Sequence, residues 1–444
     1  MRVLHTSDWH LGKRLDQFSR LEEQRLVLEE IVGIADEKAV DLVLITGDLF
    51  DSYNPPVEAE DLFFRTLKKL SAHGRRPVVA LAGNHDSADA IQAPDPLARL
   101  HGIVLLGYPG TKMTELTSEG GVEISFPAPG LLEIKLPPEK KAPPVRILAA
   151  PYANEKRLRG LFQELEDENP GGAAEAGDAR GDGDTDFQGE IPTGEEIIKR
   201  LSAYWKEVGE RFFTENTVNI TAAHLFCLPA GGRGELSGEI EEPEDEKPIL
   251  YPGGLAPLTP EAFPEGSRYV ALGHLHRPQD VATEPFPVSY CGSPLAYSRS
   301  EASQQKYVYC VDLEPGEKAK IEKVPLKSGM KILRGRFSDV NSALTWLQEN
   351  TGSYVEITLE LDSFLSSGDR QQLYGAHPRI LSIIPEMNGD IPGEKAPPAD
   401  TDKPVAELFA EYFSSEHGGA ELPGELMDLF REILAARDLQ EPAE

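Results

Sequence analysis

Val78-Val79-Ala80-Leu81-Ala82-Gly83-Asn84-His85-Asp86 is the stretch whose reading decides the fold. An unbroken apolar run containing two valines reads as a buried strand. It stops on a glycine and then delivers an amide, an imidazole and a carboxylate in successive positions. Four other apolar runs end in metal-competent side chains. Val3-Leu4 leads to Asp8-Trp9-His10, and Leu42-Val43-Leu44-Ile45 leads to Gly47-Asp48. Val218 to Ala223 leads to His224, and Tyr269-Val270-Ala271-Leu272 leads to Gly273-His274-Leu275-His276. In open α/β sheets, ligands bind beyond the carboxyl ends of the strands. Five such ends in one sheet are expected to bring Asp8, His10, Asp48, Asn84, His85, His224, His274 and His276 into one crevice. Those nitrogen and oxygen donors suit a pair of divalent metals.

A lone Asp-x-His or Gly-Asp is weak, and a single histidine is more often structural than a ligand. Here the signals occur together, in order, each at a strand end. In Asp8-Trp9-His10 and His274-Leu275-His276, extended backbone points residues i and i+2 to one side. Asp48 is the candidate to bridge two ions, because a carboxylate has two oxygens. Asn84 offers a neutral amide oxygen. With no thiolate among the donors, manganese, iron or zinc fits better than copper. His85 is placed to contact a phosphate or protonate a leaving oxygen, with Asp86 a candidate to orient it.

The remainder of the chain sets the frame. At 444 residues it exceeds one ordinary core, so roughly two or three domains are expected. The start lacks a signal-peptide core and no apolar run is long enough to span a bilayer, so a cytoplasmic protein without membrane contact is expected. Cys227, Cys291 and Cys310 form no CxxC pair, which points to buried thiols rather than disulfides or a zinc ribbon. A net charge of −31 argues against a protein that coats DNA electrostatically, but leaves room for nucleic acid at one metal-dominated site.

Residues 1–110 alternate strand and helix, with helices expected from Gln17 to about Lys38 and from Pro56 to about His73. Short β-like pieces from Thr114 to Pro151 read as antiparallel strands continuing that core. Glu164 to Glu190 is acidic and nearly devoid of large apolar residues, which reads as a solvated insertion. Ile197 to Phe213 reads as an amphipathic helix, and Gly231 to Lys247 as a polar loop. Residues 326–390 suggest a small α+β unit. A Pro/Gly/Asp linker at 391–402 follows. In the tail, Val405, Leu408, Phe409, Tyr412 and Phe413, and then Leu426, Leu429, Phe430, Ile433 and Leu434, mark two amphipathic helices. They can pack on their own domain or dock on another protein.

Asp8-Trp9-His10, Gly47-Asp48-Leu49-Phe50-Asp51, Gly83-Asn84-His85-Asp86, His224 and Gly273-His274-Leu275-His276 resemble the signature of the calcineurin-like metallophosphoesterases. Thr6-Ser7-Asp8-Trp9-His10-Leu11-Gly12 and Tyr290-Cys291-Gly292-Ser293-Pro294 are similar to the SbcD family, the nuclease subunits of bacterial SbcCD complexes. The resemblance covers residues 1 to about 325, the next unit by position only, and the tail by general character. It implies an α/β fold: a four-layer α/β/β/α sandwich over 1–325 with an acidic insertion around 164–190, a small capping domain at 326–390, and C-terminal helices at 403–444. It implies one ion held by Asp8, His10, Asp48 and His276, and a second held by Asp48, Asn84, His224 and His274, usually manganese at both. It implies His85 as the catalytic residue. It further implies a homodimer of nuclease subunits, with the tail gripping an SbcC-type ABC ATPase in a heterotetramer. Some relatives carry a histidine where this chain has Asp51. Lys13, Arg14, Arg277 and Arg299, near the motifs, are candidates for phosphate contact.

The expected function is therefore a manganese-dependent DNA nuclease of repair and recombination, acting as double-strand exonuclease and single-strand or hairpin endonuclease. The alternative is a small-molecule metallophosphoesterase, such as a cyclic-nucleotide phosphodiesterase. The same donors serve that chemistry, but a small substrate needs neither the extra unit nor the tail. A metal-free scaffold is disfavoured because all seven proposed ligands are present.

Overall fold

The computed structural model describes residues 1–168, 194–229, 257–302, 304–361, 365–387, 408–410, 413, 426–427 and 430. The loop 231–247, the linker 391–402, most of the expected tail helices and positions 169–190 of the expected insertion lie outside these residues.

The chain begins with β1 (Arg2–Thr6), a hairpin of β2 (Arg14–Leu15) and β3 (Phe18–Ser19), and α1 (Leu21–Glu37). The hairpin takes up the residues from Gln17 to Ser19 that periodicity alone assigns to the helix. There follow β4 (Leu42–Thr46), α2 (Val57–Leu70), β5 (Val78–Leu81), the short α3 (Ala88–Gln92) and α4 (Asp95–Ala98), and β6 (Ile103–Leu106). Next come β7 (Leu116–Thr117), β8 (Glu123–Ala128), β9 (Leu131–Lys135) and β10 (Val145–Ala150). Helix α5 (Glu155–Glu168) is not foreshadowed by periodicity, and its end overlaps the segment read as a solvated insertion. The amphipathic α6 (Gly194–Phe212) leads into β11 (Val218–His224) and β12 (Tyr269–Gly273). Four more strands close this part: β13 (Gln279–Ala282), β14 (Val288–Tyr290), β15 (Tyr307–Asp312) and β16 (Lys320–Pro325).

Apart from the β2-β3 hairpin, these strands form two sheets, not one. Among the described residues the first has the order β16-β15-β1-β4-β5-β6, and the second β13-β14-β12-β11-β10-β9-β8-β7. In the first, β1, β4, β5 and β6 run parallel. In the second, β10, β11, β12 and β14 run parallel. The pieces between Thr114 and Pro151 thus build the second sheet instead of extending the first.

Alternation along each strand explains the layering. Leu4, Val43, Ile45 and Ala80 face one core with Leu28 and Ile31 of α1 and Phe63 and Leu67 of α2. Their neighbours Val3, Leu42, Leu44, Val79 and Leu81 face a second core with Ile134, Ile147, Ile220 and Ala271 of the other sheet. Leu148, Ala223 and Leu272 turn outward to meet Leu201, Trp205 and Val208 of α6. Strands buried on both faces read as continuous apolar runs because both side-chain sets need cover. The result is a four-layer α/β/β/α sandwich. His5 sits between the sheets, its Nδ1 2.8 Å from Tyr269 Oη and its Nε2 3.0 Å from Thr46 Oγ1.

Beyond β16 lie β17 (Ile332–Phe337), α7 (Val340–Glu349), β18 (Tyr354–Leu361), α8 (Ser367–Ala376) and β19 (Ile380–Met387), forming a three-stranded sheet ordered β17-β18-β19. The Asp339 carboxylate accepts the Ser342 N–H at 2.9 Å and so caps α7. Ile332, Tyr354 and Leu381 share a small core with Leu15 of the hairpin. Residues Met1–Leu359 with Ser367–Ile384 make one compact unit, and Glu360–Ser366 with Pro385–Glu444 a second. Within the second, residues 408–410 and 426–427 are helical, and the rings of Phe409 and Phe430 stack with centroids 4.0 Å apart. Among the described residues no helix is long and apolar enough to cross a membrane.

Candidate metal centre

The five loops that end β1, β4, β5, β11 and β12 meet, but they come from two sheets facing each other. Contact across the gap is direct. The His274 N–H donates to Asp8 Oδ1 at 2.9 Å, joining the end of β12 to that of β1. The His85 N–H donates to Asp48 Oδ1 at 3.0 Å, joining β5 to β4. The loops are so close that a β-carbon at Gly83 would overlap the Asp48 carboxylate, and one at Gly273 would overlap the Thr46 carbonyl. Asp8, His10, Asp48 and His274 all have positive φ, at 52°, 43°, 47° and 113°. Side chains held in the left-handed region cost energy that the surrounding packing must offset, and such positions concentrate at functional sites.

Two groups of donors converge. Asp8, His10 and His276 form the first, and Asp48, His224 and His274 the second, all buried. Asp48 also reaches toward the first, its Oδ2 lying 3.5 Å from His10 Nε2 as well as 3.3 Å from His224 Nε2. Asn84 Oδ1 completes the second group, 2.8 Å from His224 Nε2 and 3.1 Å from His274 Nδ1. In the first, His276 Nε2 lies 2.9 Å from His10 Nε2.

Hydrogen bonds on the far side of two rings fix which nitrogen faces inward. His224 Nδ1 lies 2.8 Å from the Thr46 carbonyl, which can only accept, so Nδ1 carries a proton and Nε2 is the nitrogen that gives up its proton to offer a lone pair. His276 Nδ1 lies 3.3 Å from the Glu301 carboxylate, which orients that ring likewise. Each group therefore gathers lone pairs around a space where only positive charge satisfies them. The titration behaviour has the same cause. Burial would lower His224, yet the Asp48 charge and hydrogen bond, with Asp8 and the Thr46 carbonyl, push it up to about 9. Burial would raise Asp48, but His224 and His10 hold it well below the usual carboxylate range. A divalent cation supplies the positive charge this donor set lacks, so the residues present fit such an ion at either group.

His85 is half-buried beside the first group, its ring centre 4.9 Å from that of His10 and its Nδ1 3.0 Å from the Asp51 carbonyl. Asp86 does not orient it. That carboxylate is buried and accepts the N–H groups of Gly83 at 2.7 Å, Leu49 at 3.0 Å and Phe50 at 2.9 Å. It clamps the loop after β5 to the loop after β4, and its oxygens are turned toward those backbone groups instead of the imidazole. The Asp51 side chain lies 3.6 Å from His10 Nδ1 and accepts from Lys13 Nζ at 2.8 Å. Of the basic candidates, Lys13 is thereby engaged, and Arg14 donates to the Gln17 carbonyl. Arg299 pairs with Asp16 at 2.7 Å and Glu356 at 3.1 Å, bracing the three-stranded unit. Arg277 is exposed.

Four supporting residues escape sequence reading. Glu301 accepts from the buried Lys306 as well as orienting His276. Its only sequence signal is the Ser298-x-x-Glu301 capping pattern, and that box is formed. Gln24 Nε2 donates to the His10 carbonyl at 2.7 Å. Arg157, on α5, donates to the carbonyls of Gly83 at 2.9 Å and Asp86 at 2.6 Å. Nothing local marks Gln24, Lys306 or Arg157, whose roles depend on partners brought near by the fold.

Comparison with known proteins agrees with this geometry. The calcineurin-like phosphoesterase family matches residues 1–130, the part that carries Asp8, His10, Asp48, Asn84 and His85. The SbcD subunit of the SbcCD nuclease of Bacillus subtilis (strain 168) is 32% identical over 439 residues, covering 98% of this chain and 97% of that protein. This chain belongs to the SbcD family. The SbcD protein of Rhodobacter capsulatus is 31% identical over 338 residues, covering 75% of this chain and 71% of its own. That of Escherichia coli (strain K12) is 27% identical over 378 residues, covering 84% and 81%. As an SbcD-family member the chain is an enzyme, a metal-dependent phosphodiesterase of the nuclease type.

Proposed function

We propose that this protein hydrolyses phosphodiester bonds in DNA with two manganese ions, as both exonuclease and endonuclease. The observation that carries the reading is the pair of buried donor groups, with Asp48 reaching toward both. One ion is held by Asp8, His10, Asp48 and His276, the other by Asp48, Asn84, His224 and His274. When bound, such ions stabilise negative charge on the phosphate and lower the pKa of water. The chain's own residues do the rest. Glu301 and the Thr46 carbonyl hold His276 and His224 with a lone pair inward. The Asp51 carbonyl accepts from His85 Nδ1, so it is the doubly protonated ring that gives its Nε2 proton to the leaving oxygen.

The relatives' name describes one component of SbcCD, which supports an SbcC-type ATPase as partner, in a heterotetramer with a homodimer of this chain. Residues 403–444, beyond the linker 391–402, are the proposed grip on that partner, and 326–390 the proposed capping domain beside the DNA. The site is proposed to act in the cytoplasm.

The test is metal content of the purified protein together with cleavage of hairpin DNA, cyclic nucleotides and bis-p-nitrophenyl phosphate. Manganese-dependent DNA cleavage, lost in His85→Gln and in Asp48→Ala while both variants keep their circular dichroism, is the expected result. Full DNA cleavage by either variant, or turnover of cyclic nucleotides alone, would overturn the reading.

A further inference from the structure

A cavity of about 450 Å³ opens directly beside Asn84 and His85. Its size falls in the range of small-ligand sites, roughly 300–1,000 Å³. Beyond Asn84 and His85, its lining has no part in the metal chemistry proposed above. Three of them are tyrosines: Tyr53 from the loop after β4, Tyr108 after β6, and Tyr152 after β10. Lys156 and Arg157 add positive charge to the rim, in a chain whose net charge is −31.

The three rings are held differently. Tyr152 is half-buried, with the Arg157 guanidinium 5.3 Å from its ring centre and the His224 ring edge-on at 6.4 Å. It is a fixed wall that touches a proposed ligand. The Tyr108 hydroxyl donates to Asp89 at 2.6 Å, which engages a carboxylate lining the cavity and holds that ring in place. Tyr53 is 57% exposed. It lies two residues after Asp51, whose carbonyl holds His85. An aromatic ring left this open at the mouth of a site has a free π-face to offer.

We infer that this cavity receives the nucleoside next to the scissile phosphate, with its base stacked on Tyr53 and Tyr108. The inference rests on the nuclease reading above. A phosphate at the paired donor groups, next to His85, puts its attached sugar and base alongside that histidine, where the cavity begins. Stacking on tyrosine accepts any base, because every base has a π-face. The exposed Lys156 suits a neighbouring phosphate. The pocket then positions the bond to be cut without reading sequence.

The experiment compares cleavage of intact DNA with DNA carrying a tetrahydrofuran abasic nucleotide on one or the other side of the cleaved bond. One base–aromatic stack is worth about a tenfold preference in kcat/KM. The native protein is expected to prefer intact DNA by about that factor when the base is missing from one particular side. Tyr53→Ala is expected to bring the preference toward unity, and Tyr53→Trp, which keeps a stacking face, to retain it. Tyr108→Ala gives a second reading from another loop. Equal rates on intact and abasic DNA, or an undiminished preference in both alanine variants, would overturn the assignment while leaving the nuclease reading intact. Cleavage of neither substrate by the native protein would refute the nuclease reading itself, and the pocket assignment with it.

Discussion

Glu301 shows how much one carboxylate outside the donor groups controls. It is 3% exposed and meets His276 on one side and the buried Lys306 on the other. Replacing such an orienting partner typically lowers metal affinity about 10- to 100-fold. Glu301→Gln is expected to do so in manganese titration calorimetry. It also strands a buried ammonium, at a cost of about 3–5 kcal/mol in denaturant unfolding. Adding Lys306→Met should recover much of that stability but none of the metal affinity, and recovery of both would deny Glu301 its orienting role. His5 gives a pH signature. Burial lowers it from 6.5 to about 3, so the folded protein excludes a proton that the unfolded chain binds. Stability is therefore present above pH 6.5 and falls as pH drops from 6.5 toward 3. His5→Gln is expected to flatten that slope in urea midpoints taken across this window. An unchanged slope would assign the acid sensitivity elsewhere.

At the scale of elements, the Asp86 clamp is the clearest case. Its carboxylate satisfies three buried N–H groups from two loops that carry Asp48 and Asn84. An unsatisfied buried donor costs about 1–3 kcal/mol, so Asp86→Ala is expected to destabilise by about 3 kcal/mol or more. It should also weaken metal binding, since the clamp fixes both loops. Denaturant unfolding with and without manganese measures the two effects. A loss below about 1 kcal/mol, well under that expectation, would mean that water replaces the carboxylate. The C-terminal segment 403–444 carries its own prediction. Deleting residues 403–444 is expected to abolish co-purification with an SbcC-type ATPase while leaving manganese-dependent cleavage of short DNA. Unchanged complex formation would remove the tail from the partner interface.

At the scale of the molecule, the donor groups are assembled by loops from two sheets, so ions held by them would bind only the closed sandwich. Ligation of the folded state alone stabilises by about 2.7 kcal/mol per site when free metal exceeds Kd a hundredfold. Chelation is expected to lower the Tm and manganese to restore it, and a Tm indifferent to both would argue against ions across this gap. The strands, the main helices and the donors are legible in the amino-acid order. Unbroken apolar runs and abrupt strand ends are local properties, and Leu42–Ile45 and Val78–Ala82 announce them. Helix α5 is not legible because its composition is polar and its apolar residues, such as Leu158 and Leu161, gain meaning only against the second sheet. The role of Asp86 differs from the expected one because adjacency to His85 in sequence says nothing about which way a carboxylate turns. By itself, then, the sequence determined which side chains end the strands and what chemistry they can support. Only the tertiary structure decided how the loops of two sheets share these donors between them, and that Glu301, Gln24 and Arg157 hold the loops in place. Donor type is written residue by residue, whereas the hydrogen bonds that aim each donor join loops up to 266 positions apart.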